Sequence, residues 1–145
     1  YGVLAGAIAT TLGRSGWAEA PRLASRCLKA SVRTRPWAAF TGWYLVSALA
    51  WFDESLPEDW FSPLIERIEA ELQAAPNWIR HAMNDALIAI GSRTPALRQR
   101  AEAAATAIGK VEVDHGQTSC KTPEVVPYLE KVWSRKQAHP KRKRG

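Results

Sequence analysis

From residue 2 to residue 108 the apolar positions recur every three or four residues, the period of an α-helix. Residues 2–12 are small and apolar, and Gly13 and Gly16 are expected to break the helix they form. Residues 18–32 give a second helix with Leu23, Cys27 and Leu28 inward. Pro36 suits a first helical position and opens a stretch to about Trp51 that is hydrophobic nearly all round, the mark of a central helix. Over 59–73, Trp60, Phe61, Leu64, Ile65, Ile68 and Leu72 share one face and the acids take the other. The next helix, 77–90, pairs an apolar stripe with a polar one of Arg80, His81, Asn84 and Asp85, and Gly91 is expected to cap its C-terminus. Thr94 can cap and Pro95 open a helix to about Ile108, and Thr122 with Pro123 repeats that signature for a last helix over 123–134.

Six or seven helices joined by short turns predict an all-α domain. The similar lengths of 36–51 and 59–73, and of 77–90 and 94–108, suggest antiparallel helix pairs stacked as a HEAT-like helical repeat solenoid. The boundaries this implies are a repeat domain over 1–133 and a basic disordered tail over 134–145. The chain starts at Tyr1 without an initiator Met, so the repeat domain is expected to be the C-terminal part of a longer one.

Residues 108–122 break the rhythm. An irregular connector of this length is uncommon inside a domain and usually carries function. It gathers Asp114, His115 and Cys120, three conceivable zinc ligands, but their spacing matches no standard finger and no Cys-x-x-Cys accompanies them. No metal or cofactor is therefore expected. A Cys120 nucleophile served by His115 would need the chain to fold back. The plainer expectation is structural: Val111 and Val113 dock on the last helices, while Asp114, Gln117 and Thr118 satisfy loop backbone groups.

Composition narrows the class. Of the 145 residues 46% are hydrophobic, with seven Trp, enough to bury a core. No apolar run is long enough for a membrane span and no signal-peptide pattern opens the chain. Two cysteines, Cys27 and Cys120, fit a reducing compartment, so a cytoplasmic monomer is expected. The net charge of +6 is unevenly placed. Residues 1–35 hold six cations against Glu19 alone, residues 53–71 hold seven acids against Arg67, and the tail ends in Lys141, Arg142, Lys143 and Arg144. Such polarity suits a molecule that offers one surface to a polyanion.

Three stretches carry a family resemblance: residues 42–50 (GWYLVSALA), 82–91 (AMNDALIAIG) and 108–123 (IGKVEVDHGQTSCKTP). With them the chain resembles the DNA alkylation repair family over about residues 1–133. That resemblance implies a curved HEAT-like solenoid with a basic concave face holding duplex DNA, and, in the best understood members, a glycosylase that removes cationic N3- or N7-alkylated purines. Those glycosylases use a Trp, an Asp four residues later and an Arg some 35 residues beyond. The best register sets Tyr1, Ala5 and Phe40 at these positions, and none of the three matches. Without the carboxylate, nothing in this register offsets the developing sugar cation. Asp85 is a conceivable substitute acid.

The expected function is thus DNA binding of the alkylation repair type, with phosphates of a duplex that can be alkylated held by Arg33, Arg35, Arg80, Arg93, Lys121 and the 141–144 cluster, and with His81 and Asn84 alongside Arg80 on one helix face. No catalytic residue is assigned, which speaks against glycosylase activity. The alternatives are an active glycosylase whose catalytic residues sit in another register or before Tyr1, and a helical-repeat scaffold that binds protein.

Overall fold

The structure is a computed structural model and describes residues 2–140. Tyr1 and the Lys141, Arg142, Lys143 and Arg144 cluster lie outside the described residues. Seven α-helices follow one another: α1 (Gly2–Arg14), α2 (Ala20–Leu28), α3 (Pro36–Phe52), α4 (Glu58–Glu71), α5 (Asn77–Gly91), α6 (Pro95–Ile108) and α7 (Val125–Ala138), with a 3-10 turn, Leu72–Ala74, closing α4. No strand occurs among the described residues.

The helices form two layers in the manner of a helical-repeat solenoid. One layer runs α1, α3, α5, α7, each packed on the next. The other holds α2 against α3, α4 against α5, and α6 against both α5 and α7. Arg67 of α4 joins α2 to that second layer by donating to the Leu28 carbonyl at 2.8 Å. The expected pairing of 77–90 with 94–108 is present as α5 on α6, whereas α3 does not pair with α4 as its length suggested. Helix α3 packs chiefly on α1, α2 and α5, because its apolar surface extends round most of its circumference and needs neighbours on several sides. Trp43, Leu45, Val46 and Leu49 of α3 and Ile79, Met83, Leu87 and Ile90 of α5 are the core where the two helices meet.

Several boundaries moved for packing reasons. Gly13 sits inside α1, where a Cβ would fall 2.5 Å from the Ala48 Cβ, so it allows close approach to α3; Gly16, with φ +69°, turns the chain. Helix α2 ends at Leu28 and buries Ala20, Ala24 and Leu28, while Leu23 is half-buried. Thr94 caps α6 by accepting from the Leu97 amide at 3.2 Å. Helix α7 begins only at Val125 and runs to Ala138, past the expected domain end at 133. Trp133 Nε1 donates to the Gly91 carbonyl at 2.9 Å and Lys136 Nζ to the Ser92 carbonyl, so residues 134–138 are helix held to α5 rather than tail. Arg135 and Lys136 also favour the negative end of the helix dipole.

Gly91 serves contact rather than capping. A Cβ there would stand 2.8 Å from both Ala101 Cβ and Leu129 Cδ1. Gly91→Ala gains about 1 kcal/mol in helix propensity, but overpacking typically costs about 1–3 kcal/mol. A lower urea midpoint with unchanged m-value is expected; a raised midpoint would show that α6 and α7 yield freely.

Candidate functional site

The irregular segment 109–124 is not loose. It runs extended beside α5, with Val111, Val113 and His115 turned partly inward and Glu112 and Asp114 outward, the alternation that extended backbone imposes. A row of side chains from the 3-10 turn and α5 grips its backbone. Gln73 Nε2 donates to the carbonyls of Ile108 and Lys110, both at 3.0 Å. Asn77 pairs twice with Asp114, its Nδ2 donating to the carbonyl and its Oδ1 accepting from the amide, each at 2.6 Å. Arg80 donates to Glu112 at 2.8 Å, and to Gln73 and Ala75 carbonyls as well. Asn84 Nδ2 donates to the Pro123 carbonyl at 3.0 Å. Residues 77, 80 and 84 follow the helical spacing of three and four, so one stripe of α5, joined by Gln73 of the 3-10 turn, holds both ends of the connector.

This arrangement settles the position of the polar stripe without leaving it open to solvent. Asn84 is 1% exposed, and its Oδ1 has no hydrogen-bond partner. Arg80 is half-buried and spends its guanidinium on three backbone carbonyls. Arg93, at the other end of α5, does the same for α3: it donates to the carbonyls of Leu49, Ala50 and Asp53, and through its other terminal nitrogen to Leu56. These carbonyls lie in the last turn of α3 and in the turn that follows it, where backbone acceptors outnumber intrahelical donors. The Arg93 guanidinium also stacks 4.4 Å from the Phe61 ring centroid.

His81, Asp85 and His115 form a small cluster beside that row. His81 Nε2 lies 3.3 Å from Asp85 Oδ2 and its ring meets the His115 ring edge-on, with centroids 5.3 Å apart. His115 Nε2 contacts Thr122 Oγ1 at 2.9 Å, so it does not serve Cys120, which is exposed. Burial raises the Asp85 carboxyl above its ordinary range, against the opposing pull of His81 and His115. Tyr44 is raised as well, first by burial and then by the Asp85 charge. No group of three metal-ligating side chains occurs among the described residues. Asp114 Oδ1 instead accepts from the Gly116 amide, and Thr118 Oγ1 donates to the His115 carbonyl, the structural role expected for both.

The remaining basic residues lie apart from this cluster. Arg33 and Arg35 are exposed in the turn before α3, and Lys121 is exposed in the connector. Arg22 and Arg26 on α2 and Lys29 at its C-cap are exposed too. Their spacing of four and three puts them on one face. The charge excess of residues 1–35 was legible in the sequence, but this stripe was not singled out there. Ala5 is half-buried on α1 and Phe40 is buried, its ring 4.6 Å from Tyr44 and 5.0 Å from Trp78.

No protein-family model matches the chain. It is 36% identical over 94 residues to an uncharacterized protein of Listeria innocua, a match over 65% of this chain and 40% of that one. It is 35% identical, over the same shares, to an uncharacterized protein of Listeria monocytogenes. The chain thus spans about 40% of the length of the curated relatives it matches. No solved structure matches it.

The grip on the connector has a measurable strength. Asn77→Ala and Arg80→Ala each leave backbone groups unpaired, at about 1–3 kcal/mol. Faster amide exchange confined to 109–124 is expected, and uniform exchange across all helices would contradict it. Arg80→Lys should not restore protection, since an ammonium lacks the planar fork.

The Asp85 shift has a definite sign. A carboxyl raised in the folded state costs stability progressively as pH rises from its ordinary value through the raised one, and protonation relieves that cost. The difference in melting temperature between Asp85→Asn and the parent should therefore move in the variant's favour as pH rises through the raised range. The opposite trend would mean that histidine attraction outweighs burial.

Proposed function

We propose that this chain is part of a helical-repeat protein of the DNA alkylation repair type that holds duplex DNA through its phosphates, without the family's glycosylase residues. The observation that carries this reading is the exposed stripe of Arg22 and Arg26 on α2 and Lys29 at its C-cap, continued by Arg33 and Arg35, with Glu19 the one acid among residues 1–35. The Glu19–Arg22 pair is 3.4 Å long and well exposed, so it neutralises little of that field. Arginines on a rigid helix face meet phosphate oxygens with little ordering cost, and they supply affinity without sequence choice. Lys121 and the 141–144 cluster would add to the same non-specific attraction.

The residues proposed for DNA change accordingly. Arg80, Asn84 and Arg93 are taken up by the chain's own carbonyls, and His81 faces Asp85 and His115, so phosphate contact falls to α2, Arg33, Arg35 and Lys121. Base excision is not part of the proposal, because Ala5 offers no carboxylate and Phe40 no cation.

The test is duplex binding across a salt titration with the intact chain and with Arg22→Ala, Arg26→Ala and Lys29→Ala combined. Each lost phosphate contact should lower the log–log salt slope by about 0.9. An unchanged slope, or no binding by the parent, would favour the protein scaffold. Release of N7-methylguanine from duplex should stay at the spontaneous rate, and turnover above it would favour an active glycosylase.

A further inference from the structure

We infer that the cavity between α3, α5 and α7 is a binding site for a small methylated ammonium ion. It measures about 230 Å³, below the range of about 300 Å³ and more typical of drug-sized ligands, which suits a compact head group. Its walls are Ser47 and Trp51 of α3, Asp85 and Ile88 of α5, Tyr128 of α7, and Pro123 before α7. Trp51 and Tyr128 are each 42% exposed, although both are large aromatic side chains with packed helices close by. Asp85 is the one ionisable carboxyl in the lining, and no basic side chain lines it.

The chemistry of that lining selects its occupant. A cation set against the face of Trp or Tyr is drawn by the ring quadrupole, and methylation weakens the hydration it must give up. Ile88 and Pro123 give the methyl groups apolar contact. Asp85 Oδ2 already takes the His81 contact at 3.3 Å. A carboxylate made costly by burial gains most from a cation beside it, so ligand charge relieves a cost that the fold imposes. An anion would face the Asp85 carboxylate. A neutral ligand of the same shape would forgo the electrostatic part. This site is separate from the basic α2 stripe and does not depend on DNA binding.

The probe is choline, titrated into the full chain and followed by saturation transfer to its methyl protons and by equilibrium dialysis. Its neutral carbon isostere, with a tert-butyl group in place of the trimethylammonium, is the control, and tetramethylammonium tests whether the hydroxyl matters. Saturable choline binding is expected, with the isostere roughly three- to thirty-fold weaker, the range that cation–π contacts represent. Trp51→Leu, Tyr128→Leu and Asp85→Asn should each weaken choline by a similar factor. The two aromatic changes lie at the surface, so they keep the test open should Asp85→Asn disturb the fold. Equal binding of choline and its isostere, non-saturable binding, or unchanged affinity in both aromatic variants would overturn the assignment.

Discussion

Helix α5 has two obligations, and the rest of the molecule is arranged around them. Its apolar face closes the core against α3, where Ile79, Met83, Leu87 and Ile90 are buried. Its polar stripe, extended by Gln73, supplies the hydrogen bonds that an extended segment cannot make for itself. Backbone groups held against a protein surface must find partners or cost free energy. The segment after Ile108 has no neighbouring strand, so side chains at helical spacing stand in for one. That constraint explains how a long irregular stretch can lie in a fixed place on an otherwise helical protein.

Arginine has the same use twice more. Arg93 gathers carbonyls from the last turn of α3 and the turn after it, and Arg67 reaches from α4 to the carbonyl of Leu28. A planar guanidinium with five donors can satisfy several acceptors at once, which an ammonium cannot do as well. The result separates the basic residues into two populations. One is internal to the fold and joins helix ends and connector. The other, on α2 and in the turn before α3, meets solvent and creates a field around the molecule. Only the second can act on a partner without dismantling structure.

The division also bears on chemistry. His81, Asp85 and His115 lie together because α5 spaces the first two one turn apart and the connector brings the third across. Burial acts most on Asp85, whose carboxyl also lines a cavity with Trp51 and Tyr128. The exposed cations of α2 and the Asp85 carboxylate are opposite electrostatic characters carried on different helices.

By itself the sequence determined the helical class and the identity of the core, because periods of three and four residues leave few other solutions for Trp43, Ile68 or Leu87. It also showed the Thr94 cap and the irregular character of 108–122, since local chemistry specifies both. The tertiary structure alone decided what the polar stripe of α5 does. Arg80 and Asn84 four residues apart look the same whether they face a phosphate or the chain's own backbone, and only the path of the connector distinguishes the two. It likewise decided that Gly91 admits Ala101 and Leu129, that α7 continues to Ala138 on the Trp133 and Lys136 anchors, and that Trp51, Asp85 and Tyr128 meet around one cavity. Those facts depend on residues some 10 to 77 positions apart coming together, and no local periodicity records them.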